Sequence, residues 1–153
     1  MVRGMNIFAL DVDPIMAARM HLDKHIVKMP LETAQMLCTI YGAGAPYKPT
    51  HANHPCTVWA RASTENYRWL VHLGVALSYE YTYRYGKTHK CQAIIKSLSE
   101  PPASVPVGER TPFAQAMPPE CQHADAVLAY QQYYAAHKQH LAAWKFRPKP
   151  DFM

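Results

Sequence analysis

No apolar run in the chain approaches the ~18 residues a membrane-crossing helix needs. The opening stretch, MVRGMNIFALDVDP, has too short an apolar core for a secretion signal. No CxxC pair occurs. Cys38, Cys56, Cys91 and Cys121 are scattered, which reads as reduced thiols in a cytosolic compartment and not as a disulfide framework. A Gly-rich phosphate loop, a Ser-His-Asp signature and a dinucleotide fingerprint are all missing, so the nucleotide-binding and hydrolase classes those motifs mark are not indicated. Charge is sparse at 18%, and acidic residues are the scarcer kind, 11 against 16 Lys and Arg. The resulting net charge of +5 suits an anionic partner such as DNA, RNA, a nucleotide or a phosphorylated metabolite, or simply a mildly basic soluble protein.

What is present is a globular composition, 49% hydrophobic over 153 residues, enough for one domain with a real core. Pro, Met, Tyr and His are plentiful. Asn6–Leu10 is a short apolar run, either extended or a strand. Asp13-Pro14 reads as N-cap plus first-turn proline of a helix. That helix is expected to run to Pro30, where the missing backbone donor kinks or splits it, with a second helix over 31–40. A short helix is expected from Pro55, and a long one from Thr64 to about Tyr85 with Ser63 as cap and Gly86 as stop. Within it, Ser78–Tyr85 alternates with period 2 and would pass for a strand, but the helical pattern of 67–77 before it decides for helix. A helix over 90–98 follows. Next comes an irregular loop over 100–119, rich in proline, and a last helix over about 124–144. An extended tail, 144–153, ends the chain. The architecture expected is mainly α: a single-domain bundle of about five to six helices, residues 1–153, with long Pro-rich loops.

One stripe of polar residues stands out. His21, His25, Lys28, Glu32 and Gln35 lie at offsets of 0, 4, 7, 11 and 14, within about 80° of one another on a helix. Apolar residues flank it on both sides, among them Ile15, Leu22, Ile26, Met29, Met36 and Leu37. Such a thin polar line in an apolar helix faces a wet internal cleft, is paired in a buried network, or is an exposed face whose apolar flanks complete an ordinary amphipathic helix. Lys24, His25 and Lys28 would together hold a phosphate or pyrophosphate. Glu32, one turn from Lys28, is either a general base or its ion-pair partner.

Four further clusters carry chemistry-bearing side chains. His51, His54 and Cys56 could ligate zinc, though a His before a proline is more often a cap. Trp59, Arg61 and Asn66 suit stacking on a base and reading its edge, against a core role for the tryptophans. Glu80 and Arg84 form an i, i+4 pair that stabilises a helix or, with His89, adds to an anion pocket. Lys138, Lys145, Arg147 and Lys149 form a basic run that contacts a nucleic-acid backbone or is merely a solvated face.

The blocks NIFALDVDP, DKHIVKMPLETAQMLCT, YKPTHANHPCTVWAR, NYRWL, EYTYRYGKTHK, TPFAQAMP and YYAAHKQHLAAWKFRPKPDF span nearly the whole chain. Together they resemble a family of small tailed-phage proteins and, with it, the phage amino acid:DNA transferases of thymidine hypermodification. The resemblance implies an enzyme of the infected bacterial cytoplasm with two substrates, DNA carrying a modified pyrimidine and a free amino acid. Its reaction would displace pyrophosphate from pyrophosphorylated 5-hydroxymethyluracil. Catalytic roles would fall on His25, Lys28, Glu32 and Asp11. Substrate contacts would fall on Lys24, Gln35, His54, Trp59, Arg61, Asn66, Glu80, Arg84 and His89. No cofactor is implied. Two alternatives remain: a nucleotide phosphohydrolase using a divalent metal on Asp11, Asp13, Glu32 and Glu80 or on the histidines, and a non-catalytic nucleic-acid-binding protein.

Overall fold

Asp13 caps the first helix as its sequence demands, its Oδ1 accepting from the Ile15 N–H at 2.9 Å, with Pro14 supplying the preset φ of the first turn. In the computed structural model, which describes residues 5–153, that helix is α1 (Pro14–Met20). It is followed by α2 (Asp23–Tyr41), α3 (Pro55–Arg61), α4 (Thr64–Tyr85), α5 (Gln92–Ser97) and α6 (Ala126–His137). No strand occurs among the described residues, and none of their helices is long and apolar enough to cross a membrane. Residues 1–4 of the stretch read against a secretion signal lie outside the described ones.

The chain breaks at His21–Leu22, where the backbone turns extended, and not at Pro30, which lies inside α2. Two physical reasons account for the correction. Pro30 gives the Ile26 carbonyl no donor, and its ring crowds the preceding turn. The neighbouring Val27 carbonyl, however, accepts from His89 Nε2 at 2.9 Å, so the opened turn is partly satisfied from outside. At His21 the carbonyls that α1 leaves without partners are taken by a buried arginine. Arg84 donates to the Arg19 carbonyl at 3.0 Å and to the His21 carbonyl at 2.8 Å.

Met5–Leu10 is extended and buried throughout, laid into the core beside α2 and α6. Helix α4 is the central element: it packs on α1, α2, α3 and α5. Its Ser63 cap and left-handed Gly86 stop (φ 68°) match the sequence reading, and the period-2 tyrosine run is helical. The crossing of α2 and α4 is close, for a Cβ on Gly74 would meet Thr33 Cγ2 at 2.6 Å. The loop 100–119 is irregular as expected and is pinned by Asn66, whose Oδ1 accepts from the Thr111 N–H at 2.8 Å.

The last helix is shorter than the 124–144 expected. It ends at His137, and a 3-10 turn, Gln139–Leu141, leads into a tail that folds back over the α1–α2 corner. The Asp23 N–H donates to the Ala143 carbonyl at 2.8 Å, Trp144 Nε1 to the Met20 carbonyl at 2.8 Å, and the Lys145 N–H to Asp23 Oδ1 at 2.8 Å. Residues 144–153 are thus a packed strap and not a free extension.

Candidate functional site

Because α2 runs through Pro30, His25, Lys28, Glu32 and Gln35 stay on one helix, while His21 caps α1. Glu32 is the centre of the group. Its side chain is 4% exposed. Oε1 accepts from the Asn6 N–H at 2.9 Å, and Lys28 Nζ lies 3.4 Å from Oε2. Burial pushes its carboxyl up to about 7, against the opposing pull of Lys28, the Asn6 N–H and Lys138. Lys138, at the end of α6, lies against Phe8 and Tyr133, its Nζ 5.2 Å from the Tyr133 ring centre. Burial and the Lys28 charge hold its ammonium below the usual range, while Glu32 partly restores it.

His25 closes the group from the next turn. Its ring stacks on Phe8 with centroids 4.5 Å apart and planes 10° from parallel. Nδ1 lies 2.6 Å from the Tyr134 hydroxyl, which accepts from the Leu22 N–H. Nδ1 and the hydroxyl share one hydrogen bond whose donor is set by the imidazole tautomer. Burial, then His21, Lys138 and Lys28, lower the imidazole to about 2. Burial thus favours the neutral imidazole at His25. His21 is likewise neutral, lowered to about 4 chiefly by burial, with Nδ1 on the Ala17 carbonyl at 2.6 Å.

The other residues read as site candidates are placed elsewhere, and their bonds say why. Arg84 is fully buried and satisfied: Nε donates to Glu80 Oε2 at 2.8 Å and Nη1 to Asp23 Oδ1 at 3.0 Å, besides the two carbonyls of α1. Glu80 also accepts both nitrogens of Arg147, at 2.9 and 3.0 Å. This network clamps the tail and the α1–α2 corner to α4, so Arg84 and Glu80 form no anion pocket. Asp23, at the start of α2, is part of it. His89 is consumed at Pro30, with Nδ1 accepting the Cys91 N–H at 3.1 Å.

Trp59 is core, packed against Trp69 and Phe113, and Asn66 Nδ2 donates to its carbonyl at 2.8 Å; neither presents a face to a base. Arg61 donates to the Ala52 carbonyl. His54 is the cap of α3, accepting the Cys56 N–H at 3.1 Å. Asp11 accepts the Asp13 N–H at 2.8 Å in the turn before α1. Lys24 is exposed on α2, off the line of the stripe, and Gln35 is half-buried one turn beyond Glu32. Among the described residues no three His, Cys, Asp or Glu side chains gather as a metal-binding group, so the acidic set of the hydrolase alternative does not converge.

Three participants escaped the sequence reading. Asn6 acts through its backbone N–H, which no side-chain pattern encodes. Tyr134 and Lys138 lie more than a hundred residues from their partners, and Lys138 read only as part of a solvated basic run. Two concavities, a groove of about 750 Å³ beside Arg19, Gln131 and Phe152 and a hollow of about 300 Å³ beside Arg68 and His72, are not lined by Glu32. Neither is lined by a buried carboxyl; the Glu32 group lies instead at the contact of α2, the Met5–Leu10 segment and α6. No protein-family model, curated protein or solved structure matches the chain.

Proposed function

We propose that the protein is a group-transfer enzyme acting on an anionic, DNA-borne substrate, with Glu32 as general base. The reaction would be the one its resemblance implies: an amino acid's amine replaces pyrophosphate on 5-hydroxymethyluracil in DNA. The observation that carries the reading is the Glu32 carboxyl, pushed up to about 7 beside two ammonium groups, Lys28 and Lys138. An amine nucleophile must lose a proton. A buried carboxylate with a raised pKa is a stronger base than an exposed one and still ionises at neutral pH. In the proposed step the nitrogen lone pair forms a bond to the C5-methylene carbon. The carbon–oxygen bond breaks with its electron pair leaving on pyrophosphate, and the nitrogen's proton passes to Glu32. Lys28 and Lys138 neutralise the departing charge.

The test is mass spectrometry of nucleosides digested from DNA carrying pyrophosphorylated 5-hydroxymethyluracil, after incubation with the protein and the common amino acids. The expected product is a thymidine–amino acid adduct. Glu32→Gln should lower its formation by about 10²–10⁴-fold, the usual range for a lost general base. Lys28→Ala should lower it by about 10²-fold. No adduct with unchanged substrate would sink the reading. Conversion to 5-hydroxymethyluracil alone would replace amine transfer with hydrolysis on the same face.

A further inference from the structure

The alternating run Ser78–Tyr85 is unexplained by the site on α2, and its two faces do different things. Glu80 and Arg84 point inward to the buried clamp. Tyr79 and Tyr83 lie one helical turn apart and point out, 51% and 52% exposed. Each ring carries a cation: Lys96 Nζ is 4.8 Å from the Tyr79 centroid, and the Arg147 guanidinium carbon is 4.2 Å from that of Tyr83. The strap extends the series. Phe146 is 66% exposed, its ring 6.1 Å from Tyr83, and Lys145 Nζ sits 5.4 Å from both the Phe146 and the Tyr85 centroids.

Phe146 is held at φ 63°, a left-handed conformation that a bulky aromatic residue rarely adopts. The residues on either side fix it there. The Lys145 N–H is tied to Asp23, and the Arg147 side chain to Glu80. The fold thus holds a large apolar ring in water through a strained backbone, beside two more exposed rings, with cations interleaved. The nearby acids are turned inward: Glu80 and Asp23 are neutralised by Arg84 and Arg147, leaving Asp151 as the acidic residue of the strap. Lys149 adds an exposed positive charge to the strap.

We propose that Tyr79, Tyr83 and Phe146, with Lys145 and Lys149, form a binding surface for single-stranded DNA, on which unpaired bases stack while the cations hold the phosphates. Exposed rings alternating with cations are what an unpaired strand requires, because every base offers a π-face and every linkage a negative charge. A duplex keeps its base faces inside the stack. The proposal rests on the DNA reading above for its partner, but not on amine transfer.

The experiment is fluorescence anisotropy with three labelled probes: a short oligothymidylate, an abasic strand of equal length and charge, and the matching duplex. The intact protein is expected to bind the oligothymidylate about tenfold more tightly than the abasic strand or the duplex. Tyr83→Ala and Phe146→Gly should each weaken oligothymidylate binding about tenfold and remove most of the preference over the abasic strand. Glycine suits the positive φ, so Phe146→Gly should melt at or above the parent temperature, which separates lost stacking from lost folding. Lys149→Ala should weaken both single strands alike and flatten the salt dependence. Equal binding of oligothymidylate and abasic strand, tighter duplex binding, or aromatic variants that bind like the parent would each overturn the surface. The stacking preference and the nucleoside adduct are separate readouts. A stacking preference without any nucleoside adduct would therefore sink the transferase and keep this surface, and an adduct without the preference would do the reverse.

Discussion

Glu32 and the two histidines set opposite pH dependences. The unfolded carboxyl releases its proton near 4.5, whereas the folded one keeps it to about 7. Between those values the folded state binds more protons, so Glu32 subtracts stability as pH rises through the window, by at most about 3 kcal/mol above it. His21 and His25 are lowered from 6.5 to about 4 and about 2, so the unfolded state binds more protons below 6.5 and stability falls as pH drops. Glu32→Gln keeps an acceptor for the Asn6 N–H and isolates the first effect. Urea unfolding should show the variant more stable than the parent at about pH 8, by up to about 3 kcal/mol, with the gap closing toward pH 5. An equal gap at both values would mean that Glu32 is not held neutral by burial. In catalysis the same residue should make kcat/KM rise with pH through about 7, since the ionised form is the base.

At the scale of elements, the α2–α4 crossing depends on the absence of one methyl group. Alanine at Gly74 would gain about 1 kcal/mol of helix propensity. It would also drive a Cβ to 2.6 Å from Thr33 Cγ2 and 3.1 Å from Ile95 Cγ2. Overpacking of this kind costs about 1–3 kcal/mol, so Gly74→Ala should destabilise on balance. Adding Thr33→Ser, which removes the clashing methyl, should recover most of the loss in a double-mutant cycle. Additive effects would show that the helices separate instead of clashing. The position of the break between α1 and α2 follows the same logic: partners, not propensity, decide it. A proline costs about 3 kcal/mol in a helix interior, yet α2 continues through Pro30, while the break falls at His21–Leu22, where Arg84 satisfies the carbonyls left open.

At the scale of the whole molecule, the Arg84 network joins α1, α2, α4 and the strap in one buried knot. Arg84→Met would leave Glu80, Asp23 and two carbonyls short of a donor while nearly preserving volume. A loss of about 3–5 kcal/mol in urea unfolding is expected. A near-neutral result would mean that water replaces the guanidinium, and that the strap does not depend on it. The same knot holds the strap, through Asp23 on the Lys145 N–H and Glu80 on Arg147. It therefore fixes Lys145 beside the Tyr85 and Phe146 rings.

The helical class, the caps at Asp13, His54 and Ser63, and the stop at Gly86 were readable in the chain, because each depends on side chains within a few residues of the backbone they satisfy. The grouping of His25, Lys28 and Glu32 was readable too, since helical spacing alone puts them on one face. What the spacing left open was whether a charged residue faces a site or a partner. Arg84, Glu80, Asn66 and Trp59 looked like ligand contacts, and the fold spends them on carbonyls, ions and rings brought from distant segments. Asn6 and Tyr134 looked like nothing in particular and Lys138 like part of a basic run, yet they reach Glu32 and His25 from the two ends of the chain. The sequence by itself determined the local geometry, through propensity, capping and period. Only the tertiary structure decided which polar groups were buried and with what partner, and with them the state of Glu32, because desolvation is a property of the packed molecule and not of any stretch of it.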